Sequence, residues 1–265
     1  MVVGPEQFKP TSSSYGKLTD LLRSEEWEVA ILTGRHPDAR REALARASGA
    51  RLRLGPGHDK AFPNLNLEPR APVERDYPYQ RTATWGRVLG VPLDDTPLRW
   101  PLVEEMDRQM AQLVHFNKPR KDQLLVGVDP GVGKEGIALA PENLAFLVNH
   151  LASHVRSKTI LLTSELGTRC DDLGKLLRCE QLDLPRPTLK ETVLLLAQCD
   201  LFLAANTDLL HYAVAMDVPT LGIFTARDRA NWVPTDASNL AILDSVEGES
   251  LSLADLMDQV DELLR

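Results

Sequence analysis

Residues 199–225, CDLFLAANTDLLHYAVAMDVPTLGIFT, decide the fold of this chain. LFLAA is an apolar run of strand length, and it ends in Asn206, Thr207 and Asp208. Small polar residues of these types leave a strand and open a helix. LLHYAVAM has the composition of a helix buried over most of its surface. Val218 and Pro219 break it, and TLGIF is a second apolar run. Two strands that are apolar throughout, joined by a helix, predict parallel neighbours covered on both faces.

The same alternation extends in both directions. LLVGVDP (124–130) and KTILLTS (158–164) read as strands, and PENLAFLVNHLASHV (141–155) as the helix between them. A helix then runs to about residue 177, TLKETVLLLAQC (188–199) is another, AILD (241–244) is a last strand, and LSLADLMDQVDELL (251–264) closes the chain as a helix. Toward the N-terminus, helices are expected over 17–24, 37–48, 81–89 and 104–116, with strands at 28–34 and 51–55. Gly49 and Gly90 mark helix ends. Residues 56–80 are rich in proline and charge and read as loop, and NKPRKD (117–122) is the best linker. The prediction is an α/β protein with parallel sheets and two domains, 1–118 and 119–265. Ligands of such sheets sit beyond the carboxyl ends of the strands. That rule selects the loops 129–136, 163–168 and 205–208, with 225–234 beside them.

The composition is that of a folded protein: 265 residues, 43% hydrophobic and 26% charged, with a formal net charge of -8. The acidic balance argues against a nucleic-acid partner. No run of about 18 apolar residues predicts a membrane span. The opening MVVGPEQFKPTSSSYG lacks the pattern of a signal peptide. Cys170, Cys179 and Cys199 match no zinc spacing and form no disulfide framework, so a reducing cytoplasm is the simplest setting and no metal is expected.

GVDPGVGKEG, 127–136, raises the question of a phosphate loop. A Walker A loop needs G-x-x-x-x-G-K-[ST]. Gly133 and Lys134 supply the GK pair, but Val128 stands where the first glycine belongs and Glu135 where the hydroxyl belongs. The hydroxyl that would hold magnesium is missing, and a carboxylate there repels a triphosphate. What remains is a strand-to-helix loop with one lysine, either an ordinary connection or a seat for a smaller anion.

The segment 188–234 resembles glycosyltransferase family 9, the ADP-heptose:lipopolysaccharide heptosyltransferases and their relatives. The residues that carry the resemblance are Cys199-Asp200 ahead of the strand, then Asn206-Thr207-Asp208-Leu209-Leu210-His211 opening the helix. Val218-Pro219, Phe224-Thr225, Asp228 and Trp232-Val233-Pro234 follow. Lys134 ahead of Pro141-Glu142 fits the family's lysine loop, and WEVAILTGRHPDARREALARASGARLRLG and RDYPYQRTATWGRVLGVP are similar to its N-terminal half. The resemblance implies a GT-B fold, two Rossmann-like domains with the donor nucleotide sugar bound mainly to the C-terminal one.

On that resemblance the donor site comprises Lys134, Glu165, Asn206, Thr207, Asp208 and His211. A helix N-terminus suits a diphosphate, since its amides and dipole both favour negative charge. Thr207 would add a hydroxyl, Lys134 a full positive charge on the leaving diphosphate, Glu165 an acceptor for the ribose or base, and His211 orientation of the loop. Each has a plainer role available: Asn206 or Thr207 as a helix cap, Lys134 and Glu165 as solvated side chains, His211 and Trp232 as packing. No cofactor is implied.

Two departures from the family stand out. Asp208 replaces a glycine, and at about 4 Å in an effective dielectric near 20 a carboxylate and a phosphate charge repel by about 4 kcal/mol. Nothing near Met1 matches the Gly-Asp turn whose aspartate is the family's expected base, so the N-terminal domain is expected to be incomplete. Asp20, Asp38, Glu74 and Asp76 are carboxylates available in its place, outside any matching motif. The expected function is inverting transfer of a heptose or related sugar from an ADP-sugar to a lipopolysaccharide-type or other glycan acceptor, in the cytoplasm and peripheral to the inner membrane. The alternative is a catalytically inactive sugar-nucleotide-binding or scaffold protein. An epimerase-like reading has little support, since no G-x-G-x-x-G fingerprint is present.

Overall fold

The computed structural model describes residues 13–32, 39–55, 64–67, 78–91, 99, 101–117, 122–133, 140–163, 169–184, 187–226, 229, 232–234, 237–244 and 253–265. They fall into two compact units, Met1–Thr96 and Pro97–Arg265.

The first unit contains α1 (Ser13–Ser24), β1 (Val29–Ile31), α2 (Ala39–Ala47), β2 (Leu52–Leu54) and α3 (Pro78–Val88). β1 and β2 pair in parallel, Val29 opposite Leu52 and Ile31 opposite Leu54. A single parallel bridge from Leu54 to Leu67 extends that pairing. Leu32, Ala45 and Leu65 form the small core, and Ala30 packs against it. Both predicted helix stops occur: Gly49 and Gly90 sit at φ +68° and +75°, a conformation open to glycine at little cost. Arg53 organises the return segment, its side chain donating to the carbonyls of Asn64 and Ala50 at 2.5 Å each. Glu42, buried on α2, accepts the Asn64 N–H at 2.8 Å.

The second unit opens with α4 (Glu104–Asn117) and β3 (Leu124–Asp129), then α5 (Pro141–His154), β4 (Ser157–Leu161), α6 (Arg169–Leu176) and α7 (Leu189–Leu196). β5 (Leu201–Ala205), α8 (Asp208–Ala215), β6 (Thr220–Phe224), β7 (Leu240–Asp244) and α9 (Leu253–Leu263) complete it. The five strands form one parallel sheet in the order β4-β3-β5-β6-β7. Successive side chains of a strand point to opposite faces, and each strand here is apolar on both. Val126, Val128, Leu201, Leu203, Leu221 and Ile223 join one core, together with Leu151 of α5, Leu173 of α6 and Val260 of α9. Leu125, Phe202, Ala204 and Phe224 join a second, with Val114 of α4, Leu195 of α7 and Leu210 of α8.

Helices thus cover both faces, as the uninterrupted apolar runs predict. α4 lies on the second of these faces, where Gln198 Nε2 donates to Asp107 Oδ1 at 2.6 Å. It therefore packs with the second unit, although the linker composition of 117–122 had suggested a division after it. An apolar stripe that meets α7 outweighs the polar stretch that follows.

Local chemistry explains several element ends. Pro141 occupies the first turn of α5, where a missing N–H removes nothing. Thr188 and Glu191 close a reciprocal capping box on α7: Glu191 Oε2 accepts the Thr188 N–H at 2.7 Å, and Thr188 Oγ1 accepts the Glu191 N–H at 3.3 Å. Asp200, whose position ahead of β5 the sequence singles out, accepts the Leu125 N–H with Oδ2 at 2.7 Å and so fixes β5 against β3. Asp217 ends α8 at φ 67°, a left-handed position that aspartate tolerates better than most residues, and pairs with Arg99 at 2.5 Å. No helix among the described residues is long and apolar enough to cross a membrane.

Candidate functional site

In chain order the strands of the large sheet run 2-1-3-4-5, so the direction of winding reverses between β3 and β5. A crevice forms at such a point, beyond the carboxyl ends of the two strands, and that is where ligands of open α/β sheets bind. The residues that leave β3 and β5 therefore define the candidate site.

β3 ends at Asp129, a carboxylate 2% exposed to solvent. Its Oδ1 accepts the N–H of Gly131 at 2.8 Å, which turns the chain sharply after the strand. β5 ends at Ala205, and the Thr207 N–H donates back to the Ala205 carbonyl at 2.7 Å, a second tight turn. The two turns touch. A Cβ on Gly131 would lie 3.2 Å from Thr207 Cγ2 and 2.9 Å from Asp129 Oδ1, so only a glycine lets the loops approach this closely.

Thr207 is the N-cap of α8, at φ -96° and ψ 172°, yet its side chain makes no capping hydrogen bond. Its hydroxyl is buried and has no hydrogen-bond partner among the described residues. The first-turn amides of any helix also lack intrahelical acceptors. A buried hydroxyl and a helix N-terminus at the switch point thus offer donors to an anion. Asn206, 1% exposed, contacts His211 Nε2 through Oδ1 at 3.0 Å. His211 in turn lies 6.0 Å from the Trp232 ring at a 45° tilt. Asn206 and His211 brace the loop, and Trp232 packs behind them against the second core. Asp208, the first residue of α8, is exposed.

The structure thus brings Asn206, Thr207, Asp208 and His211 together at the carboxyl end of β5. Lys134 and Glu165 lie outside the described residues. Asp129 and Gly131 fall in the loop 129–136 that the sequence selects, although neither was named as a site residue, and Arg169 lies outside every selected loop. Arg169 is half-buried at the start of α6, and its Nε donates to the Pro130 carbonyl at 2.6 Å. A signal for Asp129 was present, since an ionisable residue closes the otherwise apolar run LLVGV. Among the described residues no group of three or more metal-ligating side chains occurs.

This is an α/β fold of GT-B type, with parallel sheets and a topological switch point at the C-terminal rim of the larger one. Residues 158–258 match the family model of glycosyltransferase family 9 (heptosyltransferase), the family that the sequence resembles. The matched segment includes the whole 206–211 loop and helix start. No curated protein matches the chain in sequence.

Solved structures share its fold at low identity. A glycosyl transferase family 9 protein from Veillonella parvula DSM 2008 is 15% identical with a TM-score of 0.71, covering 94% of this chain and 78% of its own. Heptosyltransferase II of E. coli, an ADP-heptose LPS heptosyltransferase, is 14% identical with a TM-score of 0.68 over 94% of this chain and 81% of its own. The E. coli heptosyltransferase WaaC, solved with ADP, is 15% identical with a TM-score of 0.63 over 96% and 79%.

Proposed function

We propose that this chain is a glycosyltransferase that takes a heptose or related sugar from an ADP-sugar and passes it, with inversion, to a lipopolysaccharide-type or other glycan acceptor. The reading rests above all on Thr207: a buried hydroxyl without a partner among the described residues, at a helix N-terminus, in contact with the glycine turn of the adjacent strand. Protein interiors rarely leave such a group unsatisfied, and a diphosphate oxygen is an acceptor of the right kind. The match of residues 158–258 to the heptosyltransferase family and the ADP bound by WaaC support adenosine diphosphate as the leaving group.

In this mechanism the α8 amides and Thr207 hold the diphosphate, and Lys134 adds positive charge as the glycosidic bond to the sugar breaks. Glu165 accepts from the ribose or base. Fixed donors aimed at the departing oxygens stabilise charge that grows in the transition state, which is where binding energy accelerates a reaction. The acceptor hydroxyl must lose a proton, which calls for a general base.

Isothermal titration with ADP and with ADP-sugars tests the donor site. Binding that weakens in Lys134→Ala and Glu165→Gln supports the assigned roles. A folded chain that binds neither ligand would overturn the reading. Asp208 favours a second reading, a sugar-nucleotide-binding protein without catalysis, because a carboxylate stands where the anion would rest. ADP binding without turnover of any ADP-sugar in the presence of glycan acceptors would select it.

A further inference from the structure

The peptide group between Pro130 and Gly131 is held at both ends by charged side chains. Its carbonyl accepts from Arg169 Nε at 2.6 Å, and its N–H donates to Asp129 Oδ1 at 2.8 Å. In a trans peptide these two groups point in opposite directions, so the arginine and the aspartate grip it from opposite sides. Asp129 comes from the end of β3 and Arg169 from the start of α6, and the held residue Gly131 is the one that abuts Thr207. Hydrogen bonds to ionised side chains are shorter and stronger than neutral ones. Two of them on one peptide leave this turn little freedom.

We propose that Arg169 and Asp129 are positioning residues of the donor site: they clamp the peptide between Pro130 and Gly131 so that the loop after β3 is set against Thr207 before an anionic ligand arrives. The inference rests on the donor-site reading above and deepens it. Preorganisation raises affinity by removing the ordering that binding would otherwise require.

ADP is titrated calorimetrically into the wild-type chain, Arg169→Ala, Arg169→Lys and Gly131→Ala, with a melting temperature for each. Arg169→Ala is expected to weaken ADP binding about tenfold, which corresponds to about 1.4 kcal/mol. Arg169→Lys should recover much of it, since an ammonium also donates to a carbonyl. Gly131→Ala should lose affinity to a similar degree, because its Cβ would press on Asp129 and Thr207. An arginine with only a structural role would lower the melting temperature and leave the affinity of the folded protein unchanged. ADP affinity untouched in Arg169→Ala overturns the clamp and leaves the donor site standing, whereas a wild-type chain that does not bind ADP removes both. Should Arg169→Ala fail to fold, unchanged affinity in Gly131→Ala serves as the overturning result.

Discussion

At the scale of single residues, Thr207 and Asp208 pull in opposite directions. The Thr207 hydroxyl is buried without a described partner, so Thr207→Val removes a polar group that contributes little to folding. Stability should hold or rise by up to about 1 kcal/mol, while ADP affinity falls; a loss of both would mean the hydroxyl is structural. Asp208→Gly has the reverse signature. It takes a negative charge from the anion's path but places glycine in the first turn of α8, at a cost of about 1 kcal/mol. The bare repulsion of about 4 kcal/mol at 4 Å is screened at an exposed side chain, so tighter ADP binding by about tenfold or less is expected beside a lower melting temperature. Unaltered affinity would show that the carboxylate points away. The sequence made these positions visible because small polar residues mark a strand end and a helix start. Arg169 was invisible, because its partner is a backbone carbonyl 39 residues away, and main-chain partners leave no pattern in side chains.

At the scale of elements, α7 shows how a short helix is fixed by four residues. The Thr188 backbone N–H, and then its hydroxyl, bond the Glu191 carboxylate and lower its pKa. A carboxyl whose pKa is depressed on folding contributes stability above its unfolded pKa and loses it as pH falls through the folded value. Thermal unfolding of the wild type should therefore show an acid-side decline that is shallower in Thr188→Ala. The same substitution should cost about 1 kcal/mol at neutral pH through loss of the cap. Equal acid dependence in both proteins would deny the box a part in stability. The elements themselves were the most legible level. Every predicted strand of the C-terminal half exists, because a strand buried on both faces is mostly apolar along its length, and TLKET carries the S/T-x-x-E signature. The place of α4 was less legible, since which unit a helix joins depends on the surface it meets, and Val114 meets the second core.

At the scale of the whole molecule, the C-terminal helix α9 is attached to the second unit in two ways. His154 Nε2 and Asp261 Oδ1 lie 2.9 Å apart at the surface, while Met257 and Val260 enter the core beside Leu151. Exposed ion pairs are worth about 0–1 kcal/mol, whereas truncation of a buried leucine costs about 2–5 kcal/mol. Leu151→Ala should therefore lower stability several times more than Asp261→Asn in denaturant unfolding, and the reverse order would make the pair the true anchor. This layered burial has a further consequence for the crevice. β3 and β5 are neighbours in the middle of the sheet, hemmed in by helices on each side, and neither can shift without disturbing both cores. A molecule that bridges their two end loops would staple the centre of the unit, and its arrival would be felt as resistance to heat throughout the domain.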